Sequence, residues 1–87
     1  MILNENECQA AGLDPAEVAK IARGLSRYAK QAQALGVQVF GGGTGGQLRF
    51  SDGGCGDLIL AHLDGNFDGG DGANALDADG LLRGEYA

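Results

Sequence analysis

Asp64-x-Asn66-x-Asp68-Gly69 is the stretch of this chain whose residue types and spacing make the clearest chemical sense. Side-chain oxygens at positions 1, 3 and 5 of a tight loop, with glycine at position 6, can wrap a hard cation. Gly70 would add a backbone carbonyl at position 7, and Asp71 a further carboxylate. Without an ion, several carboxylates in a glycine-rich segment repel one another, so the loop is expected to order around calcium or to serve only as an acidic turn cluster.

The segment resembles DxDxDG calcium loops, and Gly56-Asp57-Leu58-Ile59-Leu60-Ala61-His62-Leu63 before it resembles the strand that enters such a loop in calcium-binding β-propeller repeats. An EF-hand loop has Glu at position 12, where Ala75 stands here; a propeller-type loop has Asp at position 9, where Gly72 stands, with Asp71 one place early. The incomplete ligand set implies weak affinity, on the order of 0.1–1 mM. Asp77-Ala78-Asp79-Gly80 either lends carboxylates to the same ion or forms another polar turn. Calcium is the one cofactor the sequence suggests.

Other reactive residues are sparse. His62 is the single histidine, in an apolar stretch near Asp57 and Asp64, and Cys55 lies seven residues before it. A nucleophile needs a base and an orienting third group, and zinc needs more ligands than these supply, so His62 reads as structural. Gly41–Gly46 contains a literal G-x-G-x-x-G, but Gln47-Leu48-Arg49-Phe50 after it alternates as a strand. A dinucleotide loop requires a helix there, and a P-loop a lysine, so the run reads as a flexible hairpin loop. No catalytic arrangement emerges, and the chain is expected not to be an enzyme.

Lys20, Arg23, Arg27 and Lys30 cluster within about 80° on a helical wheel, opposite the Val18/Ile21/Leu25/Ala32 side. They read as a solvated helix face or as a docking surface for an acidic partner. Residues 1–50 carry five basic and four acidic side chains, residues 51–87 one and eight, which together make the net charge of −6. That acidic balance points to a protein partner rather than a nucleic acid.

The elements that must position these residues are legible from capping and periodicity. Asn4 is expected to cap a short helix over Glu5–Ala11 that Gly12 ends. Asp14-Pro15-Ala16-Glu17 is a helix start, with Asp14 as cap, Pro15 at N1 and Glu17 reaching back. The long helix should run to Leu35 and stop at Gly36, with Val18, Ile21, Ala22, Leu25, Tyr28, Ala29, Ala32 and Leu35 on one apolar face. Gly24 at its edge costs about 1 kcal/mol against alanine. Strands follow at Val37–Phe40, Gln47–Phe50 and Asp57–Leu63, the last reading as the best buried because it is apolar on both faces. The expected fold is α+β: a short N-terminal helix, then one long amphipathic helix packed on a small three-stranded antiparallel sheet. Residues 1–63 form that core, and residues 64–87 are an acidic Gly/Asp-rich segment of the same single domain, with Ala75-Leu76 and Leu81-Leu82 as its apolar anchors.

The N-terminal residues do not read as a signal peptide, and no stretch approaches the roughly 18 apolar residues of a membrane span. The expected location is the cytoplasm, with Cys8 and Cys55 as reduced thiols and no membrane partner. The run from Gly12 to Arg27, together with Val39-Phe40-Gly41-Gly42 and Gly53-Gly54-Cys55-Gly56-Asp57, resembles small accessory proteins of bacteriophages and prophages. That resemblance implies no activity for any residue. It implies an accessory role, binding a host or phage macromolecule, in the host cytoplasm if the chain is phage-encoded.

Overall fold

Helix starts, glycine stops and strand pairing place the elements of this chain. A computed structural model describes residues 1–42 and 45–84. The architecture is α+β: α1 (Glu5–Ala10), α2 (Pro15–Ala34), β1 (Gln38–Gly41), β2 (Gly46–Phe50), β3 (Leu58–Leu63), β4 (Asn74–Leu76) and β5 (Leu82–Gly84). Gly43, Thr44 and residues 85–87 lie outside the described residues, so part of the glycine turn and the end of the acidic segment do too.

The two helices end by the same device. Gly12, at φ +73°, donates to the Gln9 carbonyl while Leu13 donates to Cys8; Gly36, at φ +76°, donates to Gln33 while Val37 donates to Ala32. This pair of bonds satisfies carbonyls the last turn leaves open, and it needs a residue in the left-handed region, which glycine occupies without a Cβ penalty. At the start of α2, Asp14 Oδ1 accepts from the Ala16 N–H at 3.0 Å, as a cap does. Asn4 occupies the corresponding position of α1, but its side chain makes no capping bond; only its carbonyl is used, accepting from Cys8.

β1, β2 and β3 form an antiparallel meander in that order. Val39 pairs with Leu48 and Leu48 with Ala61; Phe40 pairs with Gln47 and Gln47 with His62. A bulge follows, because Leu48 opposes Ala61 while Arg49 opposes Ile59, leaving Leu60 as the extra residue. β4 and β5 form a separate antiparallel hairpin, so Ala75-Leu76 and Leu82 lie in strands, where they are exposed rather than buried as anchors.

The chain divides into two compact units, Met1–Arg27 with Asp71–Ala87, and Tyr28–Gly70, with α2 continuous through the boundary. Residues 64–70 group with the meander and residues from Asp71 with the N-terminal ones. In that unit the Leu82 N–H of β5 donates to Glu7 Oε2 of α1 at 3.0 Å, tying residues far apart in sequence.

Burial is where expectation and structure part. Among the described residues the buried apolar side chains are Cys8 and Ala19. Half-buried Pro15, Val18, Ala22 and Ser26 lie on the same small-residue side of α2 as Ala19. The large apolar side chains assigned to the sheet contact are open instead: Ile21 is 61 % exposed, Leu25 64 % and Leu35 76 %. The periodicity identified an apolar face correctly but not a cover for it. The expectation is that β3 is the best-buried strand, yet Leu58, Ile59 and Leu60 are each about half exposed, and β3 has a neighbour on one side only.

Candidate interaction site

In the acidic loop two of the carboxylates make local side-chain hydrogen bonds. Asp68 Oδ1 accepts from the Gly70 N–H at 3.0 Å and Asp71 Oδ1 from the Ala73 N–H at 2.9 Å, so each carboxylate closes its own local turn. Phe67, at position 4 of the supposed loop, turns toward the sheet: a Cβ at Gly46 would stand 2.9 Å from three of its ring carbons, and one at Gly41 would meet its Cβ at 3.5 Å. Among the described residues no group of three or more His, Cys, Asp or Glu side chains is placed to hold a metal ion. Asp68 and Asp71 are thus engaged by amides of their own segment, while Phe67 packs against Gly46; Asp64, Asn66 and Gly70 complete the acidic stretch.

The second acidic cluster is a built hairpin turn. Asp77 N–H donates to the Leu81 carbonyl, and Gly80, at φ +77°, donates to the Asp77 carbonyl. Asp77 Oδ1 accepts from Asp79 and Leu81 N–H groups at 2.9 and 3.0 Å, while Oδ2 takes Arg83 Nε. This is a three-residue hairpin loop with glycine in the left-handed position. The Arg83 bond, then the Leu81 amide, hold the Asp77 carboxyl below the ordinary value of 3.8 against the opposing effect of desolvation, with a lesser contribution from the Asp79 amide; the same pairing raises Arg83. Its role is to close β4 on β5.

On the meander, β1 and β2 bring together residues that sequence spacing did not connect. The Arg49 guanidinium stands 3.7 Å over the Phe40 ring, and its Nε donates to Gln47 Oε1 at 2.8 Å. Gln47 lies opposite both Phe40 and His62, so these polar groups share a face. A shallow concavity of about 250 Å³ beside them is lined by Phe40, Gln47, His62 and Leu63. The alternation in Gln47-Leu48-Arg49-Phe50 carried the signal that Gln47 and Arg49 share a side; their partner Phe40 needed the register. The glycine run enters β2 directly, Gly42 N–H donating to the Gly45 carbonyl at 2.9 Å, so a hairpin and not a helix N-terminus follows it. Cys8 is a buried free thiol and Cys55 an exposed one, and neither is joined to His62 in a three-member cluster.

No family model, curated protein or solved structure matches this chain.

The remaining candidate is α2. Lys20, Arg23, Arg27 and Lys30 are all exposed along it, as the wheel expected. On the same helix, about 100° or more away, stand the open side chains of Ile21 and Leu25. One helix thus offers a cationic stripe and an apolar stripe, separated by small residues. No helix among the described residues is long and apolar enough to cross a membrane.

Proposed function

We propose that this protein is a non-enzymatic interaction module, an accessory protein that binds a macromolecule through α2. The observation that carries this reading is the exposure of both stripes on one 20-residue helix. A helix that served only its own fold would bury its large apolar side chains and solvate the rest. The cationic stripe favours a partner with an acidic surface, and the acidic remainder of the chain disfavours a polyanion, so the partner is read as a protein. The phage or prophage setting rests on the resemblance of the residues quoted above.

The reading is tested by reversing Lys20 and Arg23 to Glu and comparing affinity capture by the wild-type and reversed chains. Exposed charges contribute about 0–1 kcal/mol each to stability, so the melt should hardly move. Capture should be lost and, in the wild type, weaken with salt. Equal capture by the reversed chain removes the stripe from the reading. Retention on a DNA duplex with a steep salt slope would make nucleic acid the partner.

A further inference from the structure

Val18, Ile21, Leu25, Tyr28, Ala32 and Leu35 follow one another at spacings of 3, 4, 3, 4 and 3. This is the a/d pattern of a coiled-coil seam, with Val18, Leu25 and Ala32 at a, and Ile21, Tyr28 and Leu35 at d. The flanking positions are Ala22 and Ala29 on one side, Gly24 and Gln31 on the other, all uncharged. Lys20, Arg23, Arg27 and Lys30 fall at c and f, turned away from the seam.

We infer that the seam of α2, exposed at Ile21, Leu25, Tyr28 and Leu35, is covered by a second copy of this chain, the two helices packing antiparallel. Reversing one helix about the point between Ser26 and Arg27 sets Leu25 against Tyr28, Ile21 against Ala32 and Val18 against Leu35. Ala32 then faces Ile21 and Tyr28 faces Leu25, in place of the two-alanine and two-tyrosine layers of a parallel pair, so layer volumes are more even along the seam. Opposed helix dipoles favour the same orientation. The like-charged stripes sit on the outer sides of the pair, so two cationic helices meet without carrying charge into the contact. Ile21, Leu25, Tyr28 and Leu35 are 61, 64, 62 and 76 % exposed. Their open area is roughly 500 Å² per helix, and two copies would remove on the order of 1,000 Å² from water, where specific interfaces begin. The pairing goes beyond the proposed binding role and leaves both basic stripes outward for a partner.

Sedimentation of the full chain across roughly 1–300 µM tests the pairing. A dimer in reversible exchange with monomer is expected. Leu25→Asp should be monomeric with unchanged helical circular dichroism, since Leu25 is open in the single chain. Two matched double variants test orientation without touching the seam. In the antiparallel pair position 24 faces position 31 of the other copy, so Gly24→Glu with Gln31→Glu should weaken dimerisation about tenfold and Gly24→Lys with Gln31→Glu should strengthen it. A Cβ at position 24 meets open space, so both should fold. A monomer throughout, or a dimer that survives Leu25→Asp, overturns the proposal. Equal affinity of the two charge variants overturns the antiparallel arrangement.

Discussion

The ring of Phe67 lies on the backbone of Gly46 so closely that a single added Cβ would stand 2.9 Å from three of its carbons. Gly46 is buried in β2 and is not a positive-φ residue, so glycine is needed there for space. The contact pins the chain around Phe67 to the start of β2.

Gly46→Ala should therefore displace the Phe67 ring and cost about 1–3 kcal/mol, the range for overpacking a close contact. In a Phe67→Ala background the same substitution should cost less, by an interaction energy of about 1 kcal/mol. Urea melts of the four chains measure this, and strictly additive losses would place Phe67 elsewhere.

Gly24 within α2 and Gly36 just past its end should respond oppositely to alanine. Gly36→Ala must hold a side chain at φ +76° and should lose about 1–2 kcal/mol. Gly24→Ala sits within the helix with nothing within 4 Å of the new Cβ and should gain about 1 kcal/mol. Thermal melts followed at the helical band decide both signs.

The Asp77 carboxyl is lowered in the folded hairpin by Arg83 and by the Leu81 and Asp79 amides. Its folded value lies below its unfolded one, so its contribution is complete above about pH 4 and is lost as pH falls through the folded value. Amide signals of β4 and β5 followed from neutral pH to pH 2 should show the hairpin opening at the acid end, with a carboxyl midpoint below 3.8. Asp77→Asn should abolish that transition; an unchanged profile would assign it to another group.

Calcium at about 10 mM, well above the range expected for even a weak loop site, should leave the amide signals of residues 64–72 unshifted. Asp68 and Asp71 already accept bonds from their own turns, and no three-carboxylate cluster is present among the described residues. A saturable shift that Asp64→Ala with Asp68→Ala removes would restore the cation site.

The sequence by itself determined what is settled within a few residues of the chain. Asp14-Pro15 began a helix, Gly12 and Gly36 ended helices in the left-handed conformation, and alternation in Gln47–Phe50 made a strand, because each depends on hydrogen bonds and φ angles spanning at most about five residues. The basic stripe was legible for the same reason, since helix periodicity alone places it. Only the tertiary structure decided what covers the apolar faces. An apolar periodicity states that a face prefers burial but names no partner, and Leu25 is open for that reason. The loop at Asp64–Gly70 carries the spacing of a cation site, but ligation requires oxygens to converge, which spacing alone does not fix, and the packing of Phe67 on Gly46 was not legible in it. The bond from Leu82 to Glu7, and Arg49 over Phe40, likewise depend on which elements become neighbours, and short-range pattern holds no record of that.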